Sequence, residues 1–506
     1  MTDSSMTNRS RRRFLASHAM SLGGLALSQL LQEAATGAEL ERPELAKPIY
    51  DLAPRRPHHE PRARAMISLF MQGGPSQVDL FDPKPALTKL TGQKFPGGFT
   101  YNDMMMSTNP TTDTVLASPW KFHKRGECGM ELSELLPHLG EIADEISLIR
   151  SMHVPINNHI QAVRALQTGD NSGMSPIRAS LGSWVAYALG SESRDLPAFV
   201  ALTDTPDTPG VTQTAAEFPV GGAENWSNGV LPSVFQGTVV RYREPRIANL
   251  SPLAHLRGAP QADALHLLER MNRRHQADRP HNDDLSARTA SFQLAARMQS
   301  AAADAMNLSE ETAATRRMYG LDDPLLSVFA ANCLLARRLV ERGVRFVQVY
   351  TRSQFWDQHV RIIPELPVAC RRTDRPSAAL VKDLKQRGLL DSTIVHWGGE
   401  MGRTPVIQGN FANQAALGRD HNTQGFSMWV AGGGFKQGYV HGATDDFGHK
   451  AVVDPVSHAD YHATLLHLLG LDAHRLKHRT GGSDHALVEA KSSVRIVREL
   501  FAGESL

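Results

Sequence analysis

The 506-residue chain has only three cysteines, Cys128, Cys333 and Cys370, and no CxxC pair. That excludes a disulfide framework and a thiolate zinc site. Cys333 lies inside an apolar helical pattern and reads as a buried, inert thiol. Aromatic residues make up 6% of the sequence, too few for a platform that stacks single-stranded bases. The formal net charge is +2, so no field of one sign gathers nucleic acid or anionic membrane. Long apolar runs are missing as well. The most apolar N-terminal stretch, about 19–31, is too short and too rich in Gly and Ser to cross a bilayer. Nucleic-acid binding and a stable membrane span in the mature chain are therefore not expected.

What is present is a sizeable apolar fraction, 41%, and 22 histidines. The first permits a large core. The histidines are either surface groups or, for some, metal ligands, since neutral imidazole binds divalent ions well. The N-terminus reads as an address. A basic start, a weakly apolar stretch and small residues ending at Ala38 have the anatomy of a signal peptide. Ser10-Arg11-Arg12-Arg13-Phe14-Leu15 looks like a twin-arginine export signal. The expectation is a signal peptide over 1–38, an extended Pro- and Arg-rich linker over 39–62, and a single domain over 63–506, exported to the periplasm or beyond.

Within that domain, apolar runs alternate with helical patterns. "AMISLFMQ" (65–72), "DEISLIRSM" (144–152), "LPAFVAL" (196–202), "VRFVQVY" (344–350), "STIVHWG" (392–398) and "FSMWVAGGG" (426–434) read as strands. Residues 203–255 read as irregular segments or a lid, and 260–318 as helical. A helix follows Asp323-Pro324 and ends at Gly343, another spans about 375–387, and a C-terminal one, 460–472, is capped by Asp460. Nearly continuous apolar strands separated by helices imply an α/β fold with a mostly parallel sheet and helices on both faces. Sites in such sheets lie beyond the carboxyl ends of the strands.

Three stretches at those positions carry hard oxygen or imidazole donors. They are Asp357-Gln358-His359 after one strand, Glu400-Met401-Gly402-Arg403 after another, and Arg419-Asp420-His421-Asn422 in the loop before "FSMWVAGGG". Such donors suit a divalent cation, Zn, Mn, Mg, Ca or Fe, rather than a thiolate metal. The bland alternative is that they are turn formers and surface groups, with Glu400 pairing Arg403. Gly73-Gly74 permits close backbone approach to an anion. Ser76 is either a nucleophile or a helix cap, and Asp79 is a further ligand candidate. His159 points into the same cleft or caps a helix. Arg403 or Arg419 would steady an anionic group.

The stretches "GGPSQVDLFDPKPAL", "ASLGSWVAYALGSESRDLPAFVAL", "CLLARRLVERGVRFVQVY", "WDQH", "LLDSTIVHWGGEMGRTP" and "GRDHNTQGFSMWVAGGG" identify the chain as resembling the DUF1501 family of exported, planctomycete-type bacterial proteins. That family is grouped with the alkaline phosphatase and sulfatase superfamily. The resemblance implies an alkaline phosphatase-like fold with one or two metals over the carboxyl ends of the sheet. Asp357 and His359 resemble its Asp–His ligand pair, Glu400 its later acidic ligand, and His421 its late histidine. The chain departs from the superfamily pattern in four places, the first being a gap in Asp357-Gln358-His359 shorter than the usual Asp-x-x-x-His. Gly73 stands where an Asp is usual at the end of the first strand. Glu400-Met401 stands for Asp-His. Met174-Ser175-Pro176-Ile177-Arg178 has Met where a formylglycine sulfatase needs Cys or Ser. One metal is implied rather than two. The implied activity is metal-dependent hydrolysis of phosphate or sulfate esters on a small molecule or glycan, with Ser76 as nucleophile or water-orienting group. The alternative is a non-catalytic exported binding or assembly protein that retains the fold. Nothing in the sequence names a protein partner.

Overall fold

The structure, a computed structural model, describes residues 50–97, 111–170, 178–205, 218–248, 250–253, 255, 257–279, 283–489 and 493–503. The export signal, the first part of the linker and the stretch Met174–Ile177 lie outside these residues, as does 206–217 of the expected lid.

The strands that matter are β1 (Ala65–Phe70), β2 (Thr111–Val115), β3 (Ile146–His153), β4 (Phe199–Leu202), β5 (Thr238–Val240), β6 (Phe346–Tyr350), β7 (Thr393–Gly398), β8 (Gly402–Gln408), β9 (Gly418–Asn422), β10 (Phe426–Ala431), β11 (Tyr439–His441) and β12 (Val456–Ser457). Nine of them form one sheet in the order β11-β3-β10-β7-β1-β6-β4-β5, with β12 beside β3. β1 pairs parallel with β6 and β7, and β4 pairs parallel with β6 and β5. β10 runs antiparallel to both its neighbours, β3 and β7. The sheet is thus mostly parallel, as expected, with one reversed strand. The edge strand β5 was hidden in the irregular 203–255 stretch, because three residues are too few to show a period.

The principal helices are α1 (Gln77–Leu80), α2 (His159–Thr168), α3 (Leu181–Leu189), α4 (Ala259–Ala277), α5 (Asp283–Met306), α6 (Ser327–Glu341), α7 (Ile362–Gln386) and α8 (His458–Leu468). Alternate strand residues feed two cores. Ile67, Leu69, Val347, Val349, Val395 and Trp397 pack with α6 and α7 on one face. Met66, Phe70, Phe346 and Ile394 pack with α2, α3 and α8 on the other. Both faces are covered, so the strands read as continuous apolar runs.

Two helices differ from expectation. α7 begins at Ile362, not near 375, and keeps Pro367 and Pro376 inside it. A proline removes one backbone donor and usually marks a boundary, but tertiary packing overrides that here. Buried Leu366, Ala369 and Cys370 hold the first half against the core. α8 starts at His458. Ser457 is its N-cap, and Asp460 is the third residue of a capping box, accepting from the Ser457 backbone N–H.

Residues 50–62 lie along the domain. Arg55 N–H donates to Leu189 O at 3.0 Å and Arg62 N–H to Leu468 O at 2.9 Å. Tyr50–Leu506 forms one compact unit. Among the described residues no helix is long and apolar enough to cross a membrane.

Candidate metal centre

Four chain segments end at the same place. β1 runs into Gly73-Gly74, β6 into the loop carrying Asp357 and His359, and β7 into Gly399-Glu400. The turn after β3 leads to His159 at the start of α2. These strands share one direction, so the segments meet at the carboxyl edge of the sheet. A second, antiparallel sheet, β9-β8-β2, completes the site. β9 carries Arg419, Asp420 and His421, which were expected in a loop. The strand is short and polar, and every residue in it is buried, so apolar alternation could not reveal it.

Gly73 sets how closely the segments approach. Its φ is +110°, and a Cβ there would lie 2.5 Å from the Asp357 backbone N. Only glycine allows this contact. Its N–H donates to Glu400 Oε1 at 2.9 Å, so the anion that the Gly-Gly turn approaches is a carboxylate of the chain itself.

The cluster is His159, Asp357, His359 and His421, each offering one donor atom, all within 4.8 Å of one another. Asp357 Oδ1 lies 2.9 Å from His359 Nε2, 3.2 Å from His159 Nε2 and 3.4 Å from His421 Nε2. The Nε2 atoms of His359 and His421 are 2.8 Å apart. Around a tetrahedral zinc with bonds of about 2.0–2.1 Å, donor atoms sit roughly 3.3 Å apart. The observed spacings are close to that.

The surrounding groups decide which nitrogen faces inward. A carboxylate or amide oxygen only accepts, so His159 Nδ1 donates to Glu400 Oε1 at 2.6 Å, and His359 Nδ1 donates to Gln408 Oε1 at 2.5 Å. In a neutral ring each bond leaves the lone pair on Nε2, facing the cluster. His159 Nε2, His421 Nδ1 and Glu400 Oε2 are buried without a hydrogen-bond partner. Of these only His159 Nε2 belongs to the cluster, where a bound cation would satisfy it.

Charge is tightly coupled here. Burial works against an ionised Asp357, but the Arg403 guanidinium first, and then the three adjacent imidazoles, hold its carboxyl well below the usual range. Burial also opposes charging His159, yet the nearby carboxylates of Asp357 and Glu400 outweigh it and lift the pKa to about 9. His421 moves the other way. Burial, with a smaller push from Arg403, outweighs its bond to Asp357 and lowers it to about 3.

The remaining sequence candidates lie as follows. Glu400 sits behind His159, while His159 itself joins the cluster. Arg403 is fully buried. Its guanidinium donates to Asp357 Oδ1 at 2.6 Å and to the carbonyls of Gly73, Gly74, Trp356 and Arg419. Arg419 forks onto Asp79 at 2.8 and 3.0 Å, and Ser76 Oγ donates to the same carboxylate at 2.5 Å. Ser76, Asp79 and Arg419 are all fully buried. Asp420 accepts from its neighbour's backbone, His421 N–H, at 2.8 Å, with Oδ1 3.7 Å from His359 Nδ1. Gln408 was not singled out from sequence. Its only signal is an alternating position on β8, and its partner lies 49 residues away.

Comparison with solved structures gives distant likenesses. A sulfatase from Pseudoalteromonas sp. shares 13% identity over 89% of this chain and 71% of its own, with a TM-score of 0.31. The alkaline phosphatase of the Antarctic bacterium TAB5 shares 10% over 80% and 98%, with a TM-score of 0.30. The phosphonate monoester hydrolase of Silicibacter pomeroyi shares 12% over 73% and 72%, with a TM-score of 0.31. No curated protein matches the sequence. The profile of one family, described as a protein of unknown function (DUF1501), matches residues 63–501. The chain belongs to the DUF1501 family.

Proposed function

We propose that the protein is an exported, metal-dependent hydrolase of phosphate or sulfate esters, with one divalent ion held by His159, Asp357, His359 and His421. The observation that carries this reading is the convergence of three imidazole nitrogens on Asp357 Oδ1 at 2.9–3.4 Å. Three nitrogens and one oxygen favour zinc or another first-row transition ion over magnesium or calcium. When bound, such an ion polarises an ester oxygen and lowers the pKa of a water molecule.

The chain's own residues prepare the site. Glu400 and Gln408 take the Nδ1 protons of His159 and His359 and fix both rings. Arg403 keeps Asp357 ionised and ties it to the Gly73-Gly74 turn. Binding an ion requires His159 to give up its second proton, which Asp357 and Glu400 otherwise retain.

A second reading, a metal-holding binding protein that turns over no ester, is favoured by one observation. Ser76, Arg403 and Arg419 are fully buried and bonded to groups of the chain, so none of them faces a substrate in this arrangement. A panel of aryl phosphates, phosphodiesters and aryl sulfates, tested with zinc, manganese and iron, separates the readings. Turnover of any of these that His359→Ala abolishes supports the hydrolase. Stoichiometric metal without turnover supports the binding protein.

A further inference from the structure

The short helix α1 follows the Gly73-Gly74 turn at the end of β1, and all four of its residues are buried. Two of them are polar, and each reaches a different strand of the second sheet. Gln77 pairs with the backbone of Arg403 on β8 as a neighbouring strand would. Arg403 N–H donates to Gln77 Oε1, and Gln77 Nε2 donates to Arg403 O, both at 2.8 Å. Asp79 takes the fork of Arg419 on β9, with Nε at 2.8 Å and Nη2 at 3.0 Å. Ser76 Oγ steadies the same carboxylate at 2.5 Å.

β9 is in turn set against the loop of Asp357 and His359. Arg419 N–H donates to Gln358 O at 3.0 Å. Gly418 lies so close that a Cβ on it would fall 2.1 Å from the His359 backbone carbonyl carbon. Two residues beyond Arg419, His421 Nε2 stands 2.8 Å from His359 Nε2. β8 supplies Gln408, which accepts from His359 Nδ1. The second sheet thus carries one member of the cluster and the brace of another, and α1 ties that sheet to the end of β1.

The side-chain bonds of Gln77 and Asp79 go to Arg403, Gly448, Arg419 and Ser76, not to the four donor residues. A buried ion pair contributes little net stability beside an apolar pair of the same volume. What the fork of Arg419 does fix is geometry, because it accepts a carboxylate in one orientation.

We propose that Gln77 and Asp79 are positioning residues for the metal centre. By seating β8 and β9 they set the spacing between His359 and His421, and with it the affinity for the ion. This rests on the metal reading above and extends it to residues outside the cluster.

The test pairs zinc affinity, by chelator competition, with crystal structures of the metal-free variants. Asp79→Leu combined with Arg419→Met removes both charges together, so that no unpaired buried charge unfolds the chain. Zinc affinity should fall by roughly 10–100-fold, and the separation of His359 Nε2 and His421 Nε2 should open beyond the native 2.8 Å. Asp79→Glu keeps the charge and the fold but lengthens the reach by one methylene, and should lie between the double variant and the native chain. Asp383→Ala, which breaks the bond to Arg337 between α6 and α7, controls for lost stability and should leave zinc affinity unchanged. Native affinity or native spacing in both Asp79 variants overturns the proposal. A native chain that holds no zinc defeats the metal reading instead, and the spacing in the metal-free variants still decides whether α1 seats the second sheet.

Discussion

Two buried clusters of charge, one between two helices and one at the carboxyl edge of the sheet, differ in a way that separates structure from chemistry. Between α6 and α7, Arg337 donates to Asp383 Oδ2 at 2.9 Å and to Glu341 at 2.7 Å. Arg387 and the Tyr319 hydroxyl also reach Asp383, at 2.7 and 3.1 Å. There each acid meets a base, and Asp383 accepts from three donors, the arrangement in which a buried ion pair offsets its desolvation. At the carboxyl edge of the sheet, one carboxylate oxygen instead faces three imidazoles and an arginine, and ring nitrogens are left without partners. In the first cluster acids and bases neutralise one another, with Arg337 Nη2 2.7 Å from Glu311 Oε1, whereas the second gathers imidazole nitrogens around a single carboxylate oxygen.

The largest expected effect breaks this contrast directly. Asp357→Ala removes a metal donor and leaves Arg403 buried without its counter-charge. It should lower unfolding stability by about 3–5 kcal/mol and abolish metal uptake. Asp383→Ala should cost a similar amount in denaturant unfolding yet leave metal content unchanged. Loss of metal from both variants would mean that the clusters are not distinct.

The next effect is in pH. In metal-free protein, His159 is raised from 6.5 to about 9. Its stabilising contribution is therefore fully present below pH 6.5 and lost as pH rises through 9, to a total of about 3 kcal/mol. Metal binding has the opposite sign, because it displaces that proton and tightens as pH rises toward 9. Melting curves with and without chelator should diverge between pH 6.5 and 9. Parallel curves would show that His159 is not a ligand.

Gln408→Leu should weaken metal affinity by roughly 10–100-fold, measured by chelator competition, because His359 loses the bond that fixes its ring. The smallest effect concerns His396 and His462, held at about 3 and about 4. Depressed values mean that stability is present above pH 6.5 and falls as the solution is acidified. At pH 5.5 each histidine should cost on the order of 1 kcal/mol. Replacing His396 with Gln should flatten that acid limb of the stability curve.

The six longest strands of the main sheet were legible in the sequence, because strands covered on both faces must be continuously apolar. Asp357 and His359 were legible for the same reason, as polar residues just beyond such a strand. His159 was visible only as an option, since spacing could not tell a side chain that joins the cluster from a helix cap. Glu400 lies beside the cluster rather than in it, because which of two neighbouring groups joins the cluster depends on side-chain direction. Arg403 and Arg419 read as free anion binders because nothing local reveals their partners. Asp79, which holds Arg419, is 340 residues away in the chain. β9 and Gln408 were illegible because fully buried polar strands have no apolar period.

The most direct test of the central claim is metal analysis of the purified protein, before and after reconstitution, beside His359→Ala. The account predicts about one equivalent of a transition metal in the native chain, removed by chelator and absent from the variant. A native chain that holds no divalent ion even after reconstitution, or a variant that holds as much as the native chain, would contradict it.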